Sequence, residues 1–163
     1  MPTTYEPIAT QDITGSSSVT FSSIPSTYTD LKIIFVSKGN PSFYPNVFMT
    51  FNGDTSNNYS QTNLRGNGTT VVSNAGTNQS WINITTGQAI QEEYSFFDIT
   101  IFSYAGSTNK TVLFSNAQQN SGGKMVTRGV GLWRNTSAIT SINFVPGTWF
   151  YEGTATLYGI KGA

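Results

Sequence analysis

The stretch Phe96–Tyr104, FFDITIFSY, decides the fold class. Its apolar residues Phe97, Ile99 and Ile101 alternate with polar ones, and this period of two predicts a half-buried β-strand with one face on a core. No window of the chain carries apolar residues with the helical spacing and good helix formers between them. We therefore expect an all-β protein.

The same alternation recurs along the chain between clusters of Gly, Asn and Pro. A second strand is predicted at Thr111–Asn116, TVLFSN. The further predicted strands are Ser18–Ser22, Leu31–Ser37, Val47–Phe51, Thr69–Ser73, Trp81–Thr85, Lys124–Trp133, Ile139–Val145 and Thr154–Ile160. About ten short strands with such turn signals between them are typical of a sandwich or a barrel.

The segments between the predicted strands are short, and 163 residues suit one domain, residues 1–163. Asn52-Gly53 is the pair that a type I′ hairpin turn requires, because both central residues need positive φ. The polar segment Asp54–Asn63 is interpreted as a loop. Residues 1–12 are interpreted either as an arm that reaches a neighbour or as a frayed terminus.

Charge is scarce, and this limits the partners. Charged residues make up 10% of the chain and the net charge is zero, while eleven Phe, eight Tyr and three Trp supply a core. Such a chain lacks the long-range attraction that draws basic proteins to nucleic acid or acidic lipid. The N-terminus lacks the features of a signal peptide, and the longest aliphatic run, Ile33–Val36, is too short to span a bilayer. We expect neither a nucleic-acid nor a membrane partner.

The residue types also restrict the chemistry. The chain has no His and no Cys, which excludes Ser-His and Cys-His catalysis and removes the usual zinc ligands. Glu92 and Glu93 are the one adjacent acidic pair, but neighbours on a strand point to opposite faces. The segment from Asp54 begins like a calcium loop, yet its sixth residue is Tyr59 and its twelfth is Arg65. We expect no catalytic residue, no metal site and no cofactor.

The predicted strand Lys124–Trp133 carries packing groups on both faces. Val126 and Val130 alternate with Gly129 and Trp133. A strand of this kind is normally covered on both sides, so a neighbouring subunit is one candidate for the second cover. The alternative is that an aromatic-rich β protein simply leaves some apolar surface in water.

Aromatic side chains in loops can stack on sugar rings. The residues considered for this role are Tyr44, Tyr59, Trp81, Trp133, Trp149 and Tyr151. Core packing is the competing interpretation for each of them. We retain Trp149, Tyr151, Tyr44 and Tyr59 as candidate carbohydrate or partner contacts, the first two because they lie in a predicted loop beside a Pro-Gly pair.

Five blocks of the chain, in this order from about residue 18 onward, resemble a family of tailed-phage virion proteins that are often labelled tail-fibre or capsid decoration proteins. The blocks are FSSIPSTYTDLKI (Phe21–Ile33), FNGDTSNNYS (Phe51–Ser60), LRGNG (Leu64–Gly68), LWRNTSAITSINFVPG (Leu132–Gly147) and LYGIKGA (Leu157–Ala163).

The resemblance implies a single-domain, jelly-roll-like antiparallel β-sandwich on a virus particle, without enzymatic activity. It implies self-association, expected as a homotrimer, and contact with the major capsid protein or other virion proteins after assembly in the host cytoplasm. Because the chain is a compact unit without a shaft segment, we expect a capsid decoration or cement protein on the head. The alternative is a tail-fibre or receptor-binding protein that recognises host-surface glycan.

Overall fold

A computed structural model describes residues 4–39, 46–85, 93–120, 123–147 and 150–162. These residues form β-strands and no helix. The strands are β1 (Tyr5–Asp12), β2 (Val19–Phe21), β3 (Asp30–Gly39), β4 (Val47–Phe51), β5 (Tyr59–Gly66), β6 (Val71–Gln79), β7 (Ile82–Asn83), β8 (Ser95–Phe102), β9 (Lys110–Asn120), β10 (Gly123–Trp133), β11 (Ile142–Pro146) and β12 (Phe150–Ile160).

The strands form two antiparallel sheets. The large sheet has eight strands in the order β1-β12-β3-β8-β9-β10-β5-β6, and the small sheet has four in the order β2-β11-β4-β7. Every strand neighbour is antiparallel. The small sheet packs on one face of the large one, so the predicted all-β antiparallel sandwich is confirmed.

The core lies between the sheets and is rich in aromatic rings. The Phe35 ring on β3 lies 5.2 Å from the Phe97 ring on β8 and 5.8 Å from the Phe144 ring on β11 of the small sheet. On the other side of the core, Phe51 of β4 lies 5.4 Å from Trp133 of β10. Ring pairs at these spacings add to the burial that holds two layers together.

Gly129 on β10 makes room for one of these rings. A Cβ at this position would lie 2.2 Å from Cζ of Phe114, which is directly opposite Gly129 on β9. The glycine therefore serves close packing in the middle of a strand, where glycine otherwise weakens a sheet.

Two strands were missed at the sequence level. Tyr5–Asp12 pairs with β12 along its length, so the interpretation of this segment as an arm or a frayed terminus is wrong. Tyr59–Asn63, interpreted as part of a loop, belongs to β5, which pairs with β10 and β6. Both segments are largely polar, because one lies at the sheet edge and the other next to the opposite edge strand.

The Asn52-Gly53 turn is present, but it does not close a hairpin. Both residues have positive φ, 52° and 68°, as the turn type requires. The strand before the turn, β4, belongs to the small sheet, whereas β5 after it belongs to the large sheet. The turn therefore carries the chain from one layer to the other.

Candidate functional site

The large sheet has one face on the core and one face toward solvent. On β10, Thr127 and Gly129 are buried, whereas Val126 before them and Val130 after them are exposed. Val126 is 62% exposed, although valine is a typical core residue. We call this solvent-facing side of the large sheet the outer face.

An apolar row crosses the outer face from β3 to β6. Its members lie opposite one another on successive strands. They are Val36, Phe96, Ala117, Val126, Gly66 and Val71. At the strand spacing of a sheet, six strands cover about 24 Å. Val71, at the end of the row, is 76% exposed.

The row next to the apolar row carries a few charges. Asp98 of β8 forms an ion pair with Lys32 of β3, and Arg128 of β10 lies between Ser115 and the exposed Leu64. Extended contiguous apolar surface of this kind on a β-sheet is typical of a place where another macromolecule docks.

A polar cleft lies on the same face, near the C-terminal end of β3 and the N-terminal end of β12. It has a volume of about 340 Å³ and is lined by Asp12, Thr14, Tyr94, Glu152, Gly153 and Thr154. We call it the Tyr94 cleft. The Tyr94 hydroxyl donates to Glu152 Oε1 at 2.5 Å, and Lys38 Nζ lies 3.7 Å from Glu152 Oε2 and 4.5 Å from the Tyr94 ring centre. Tyr94 is 47% exposed.

Hydrogen bonds favour a neutral Tyr94 and a charged Asp12 in the Tyr94 cleft. The hydrogen bond to Glu152 raises the pKa of Tyr94, so the phenol remains a donor. Hydrogen bonds from Thr14, including one from its backbone N–H at 3.0 Å, lower the pKa of Asp12. The cleft thus offers an aromatic ring and two carboxylates to a ligand.

Asp54, at the start of the segment that was compared with a calcium loop, has a structural role. Its carboxylate accepts hydrogen bonds from Ser56 N–H at 2.9 Å, Asn58 Nδ2 at 2.9 Å and Trp133 Nε1 at 2.8 Å. Its backbone carbonyl accepts from the Tyr59 hydroxyl at 2.9 Å. These bonds fix the connection between the two sheets.

The carboxylate of Asp54 is held in its charged form. Partial burial alone would raise its pKa, but the hydrogen bonds from Asn58, Trp133 and Ser56 outweigh that effect and lower the pKa to about 2. Within the part of the chain that the structure describes, no three carboxylates are grouped as metal ligands.

Tyr59 is not a ligand contact, and this prediction is wrong. Its side chain is fully buried, stacked 6.3 Å from Trp133, and its hydroxyl accepts a hydrogen bond from Phe51 N–H at 3.0 Å. Burial raises the pKa of Tyr59 to about 12. Trp133 is buried with it, whereas Trp81 is 41% exposed and lies 4.9 Å from Phe48 on the small sheet.

Three further contact residues were predicted from the sequence. Trp149 and Tyr44 lie outside the described residues, and of Tyr151 only the backbone, in β12, is described.

Sequence reasoning missed the Tyr94 cleft because its members are far apart in the chain. Lys38 and Glu152 become neighbours through the pairing of β3 with β12, and Tyr94 joins them because β8 pairs with β3. Tyr94 directly before a strong strand pattern was the available signal, but a single loop tyrosine carries little information. No helix among the described residues could span a bilayer.

No family model and no curated protein matches the chain. Among solved structures, a complex of toad ovary galectin with thio-digalactose is similar at 11% identity and a TM-score of 0.34. The match covers 86% of this chain and 99% of that chain.

Proposed function

We propose that this chain is a non-enzymatic structural protein of a tailed-phage virion, and that it decorates or cements the head surface as a homotrimer. The sequence blocks that resemble phage virion proteins support the virion role. The exposed apolar row on the outer face is the observation that carries the proposal, because a row of Val, Phe and Ala side chains gains free energy when another protein covers it.

The composition of the outer face suits attachment to a shell of many copies. Its few charges include an ion pair between Lys32 and Asp98, so contacts through this face depend little on salt. Single contacts of this kind are modest, but many copies on one particle add up to firm attachment. The partners in this proposal are further copies of the chain and the major capsid protein.

The test is binding to heads that lack decoration proteins. Purified protein is added to stripped phage capsids and to host cells, and bound protein is measured by co-sedimentation. We expect binding to capsids, which should change little when NaCl is raised from low to moderate concentration. Binding to cells alone would contradict the cement role.

A pair of variants connects the result to the apolar row. Val126→Lys places a charge within the row and should abolish capsid binding. The matched control is Val145→Lys, because Val145 is 38% exposed on the solvent face of the small sheet, far from the row. Equal loss of binding in both variants would show that the apolar row is not the surface that contacts the capsid.

The Tyr94 cleft favours a second candidate function, recognition of host-surface carbohydrate. A half-exposed tyrosine ring beside carboxylates and hydroxyl groups is a common arrangement for holding a sugar. We expect host polysaccharide to bind the wild-type protein and the Tyr5→Ala variant, whose altered tyrosine is exposed elsewhere on the outer face, but not Tyr94→Ala. Equal binding by all three proteins, or by none, would contradict this function.

A further inference from the structure

The two edges of the large sheet differ in how they are protected. At one edge, β1 contains Pro7, a charged residue near each end, and a bulge between Pro7 and Ala9. Glu6 on this strand is bonded to Lys161 at 2.7 Å. Proline, charges and bulges are the features by which proteins prevent an edge strand from pairing with another chain.

The other edge, β6, has neither the proline nor the charges, and its one irregularity lies near its end, between Gly76 and Gln79. Its sequence, VVSNAGTNQ, contains no charged residue and no proline, and seven of its nine residues are exposed. Val71 and Val72 point to opposite faces and are 76% and 37% exposed, so neither face of the strand is covered. A long, uncharged edge of this kind is a ready template for a further strand.

The backbone groups that β6 presents can be identified. Asn67 N–H donates to the carbonyl of Thr70 at 3.2 Å, which makes these two residues a hydrogen-bonded pair at the end of the β5–β6 hairpin. Bonded and non-bonded pairs alternate in an antiparallel ladder. Val71, Ser73 and Ala75 therefore direct their N–H and C=O groups away from β5, toward the open edge.

We infer that β6 pairs antiparallel with β6 of a second copy of this chain across a two-fold axis at Ser73. In this arrangement the two Ser73 residues lie opposite each other, and Val71 of each copy lies opposite Ala75 of the other. Because β6 has no charged residue, the two copies approach without like-charge repulsion. The apolar rows of the two copies both end at this seam, with the two Val71 residues on either side of the Ser73 pair.

The pairing is weak in dilute solution and strong in an assembly. Three outward residues on each copy bury less than the roughly 1,200 Å² of a stable interface. On a crowded particle surface the second copy is already close, so a weak contact forms readily. A two-fold contact of this kind joins neighbouring trimers and does not replace the three-fold contact within them.

The experiment uses the absence of cysteine from the chain. Ser73→Cys places one thiol on the axis of the pairing, where opposing Cα atoms lie close enough for a disulfide. The control is Thr10→Cys, an exposed position on the same face of the protected edge β1. Under mild oxidation we expect covalent dimers of Ser73→Cys to form at least about tenfold faster than those of the control on a non-reducing denaturing gel.

Further substitutions on β6 test whether the crosslinking depends on strand pairing. Adding Ala75→Pro to Ser73→Cys removes an outward N–H that β5 does not use, and should reduce crosslinking to the control rate. If that variant unfolds, Val71→Asp with Ala75→Asp places carboxylates opposite each other across the seam and should have the same effect. Equal rates for Ser73→Cys and Thr10→Cys, or crosslinking unaffected by these changes, would overturn the inference.

The result is independent of the virion role. Rapid crosslinking at Ser73 without capsid binding would reject the cement function and leave the edge pairing in place. Capsid binding without crosslinking would reject the edge pairing alone.

Discussion

The indole Nε1 of Trp133 donates to Oδ2 of Asp54 at 2.8 Å, and this bond ties the connection after β4 to the end of β10. Two further bonds to the same carboxylate come from Ser56 and Asn58. One aspartate therefore holds the connection between the two sheets in place. Removal of its carboxylate should destabilise the whole sandwich.

We expect Asp54→Ala to lower the free energy of unfolding by about 1–2 kcal/mol, because it removes the hydrogen bonds that the carboxylate accepts from Ser56, Asn58 and Trp133. Urea denaturation followed by tryptophan fluorescence measures the change. The control is Glu93→Gln at an exposed position, which should leave stability unchanged. Equal stability of wild type and Asp54→Ala would contradict the role of Asp54 as an anchor.

The lowered pKa of Asp54 also predicts a pH dependence. Because the folded-state pKa lies below the unfolded one, its stabilisation is complete above pH 3.8 and is lost as the pH falls toward 2. The difference in melting temperature between wild type and Asp54→Asn should therefore be constant near neutral pH and shrink between pH 4 and pH 2. A difference that stays constant down to pH 2 would show that the charge is not involved.

Gly129→Ala should be strongly destabilising. Its Cβ would lie 2.2 Å from Cζ of Phe114, whose ring has no space to withdraw in the packed core. We expect a loss of about 1–3 kcal/mol, as for other overpacked cores. Gly66→Ala is the matched control, since a Cβ there meets no atom within 4 Å. Calorimetry should show a lower melting temperature for the first variant only.

A polar residue with no partner lies in the core at Thr127. Its side chain is fully buried, and among the described residues its hydroxyl has no hydrogen-bond partner. Thr127→Val should therefore stabilise the protein, by about 1 kcal/mol, because it removes an unsatisfied buried group without a change of shape.

The control for this prediction is Thr85→Val. Thr85 is equally buried, but its hydroxyl accepts a hydrogen bond from Val47 N–H at 2.7 Å, so the same substitution should destabilise. Denaturation curves of the two variants should shift in opposite directions. A loss of stability in Thr127→Val would mean that its hydroxyl does have a partner in solution.

The strands with alternating apolar residues could be predicted from the sequence. In β8, Phe97, Ile99 and Ile101 are buried as their period of two requires. The edge strand β1 could not be found in this way, because Ile8 and Ala9, which pack against the core, are adjacent and break the period of two. The strand β5 was hidden by polar residues such as Asn63, which is buried. Pairing with neighbouring strands, which is absent from local sequence, stabilises both.

Only part of the candidate site could be predicted from the sequence. The double-faced pattern around Val126 indicated an exposed apolar side, and Val126 is exposed. The contact role predicted for Tyr59 failed because an aromatic residue in a polar segment can still turn into the core. The Tyr94 cleft depends on the register between β12, β3 and β8, which only the folded chain defines.

The contrast between β1 and β6 limits how far copies can add side by side. Once the two open edges have joined, the combined sheet ends in a β1 strand at each side, with Pro7 and its bulge facing outward. Strand addition is therefore self-limiting: it closes at two subunits and cannot run on into a ribbon or fibre.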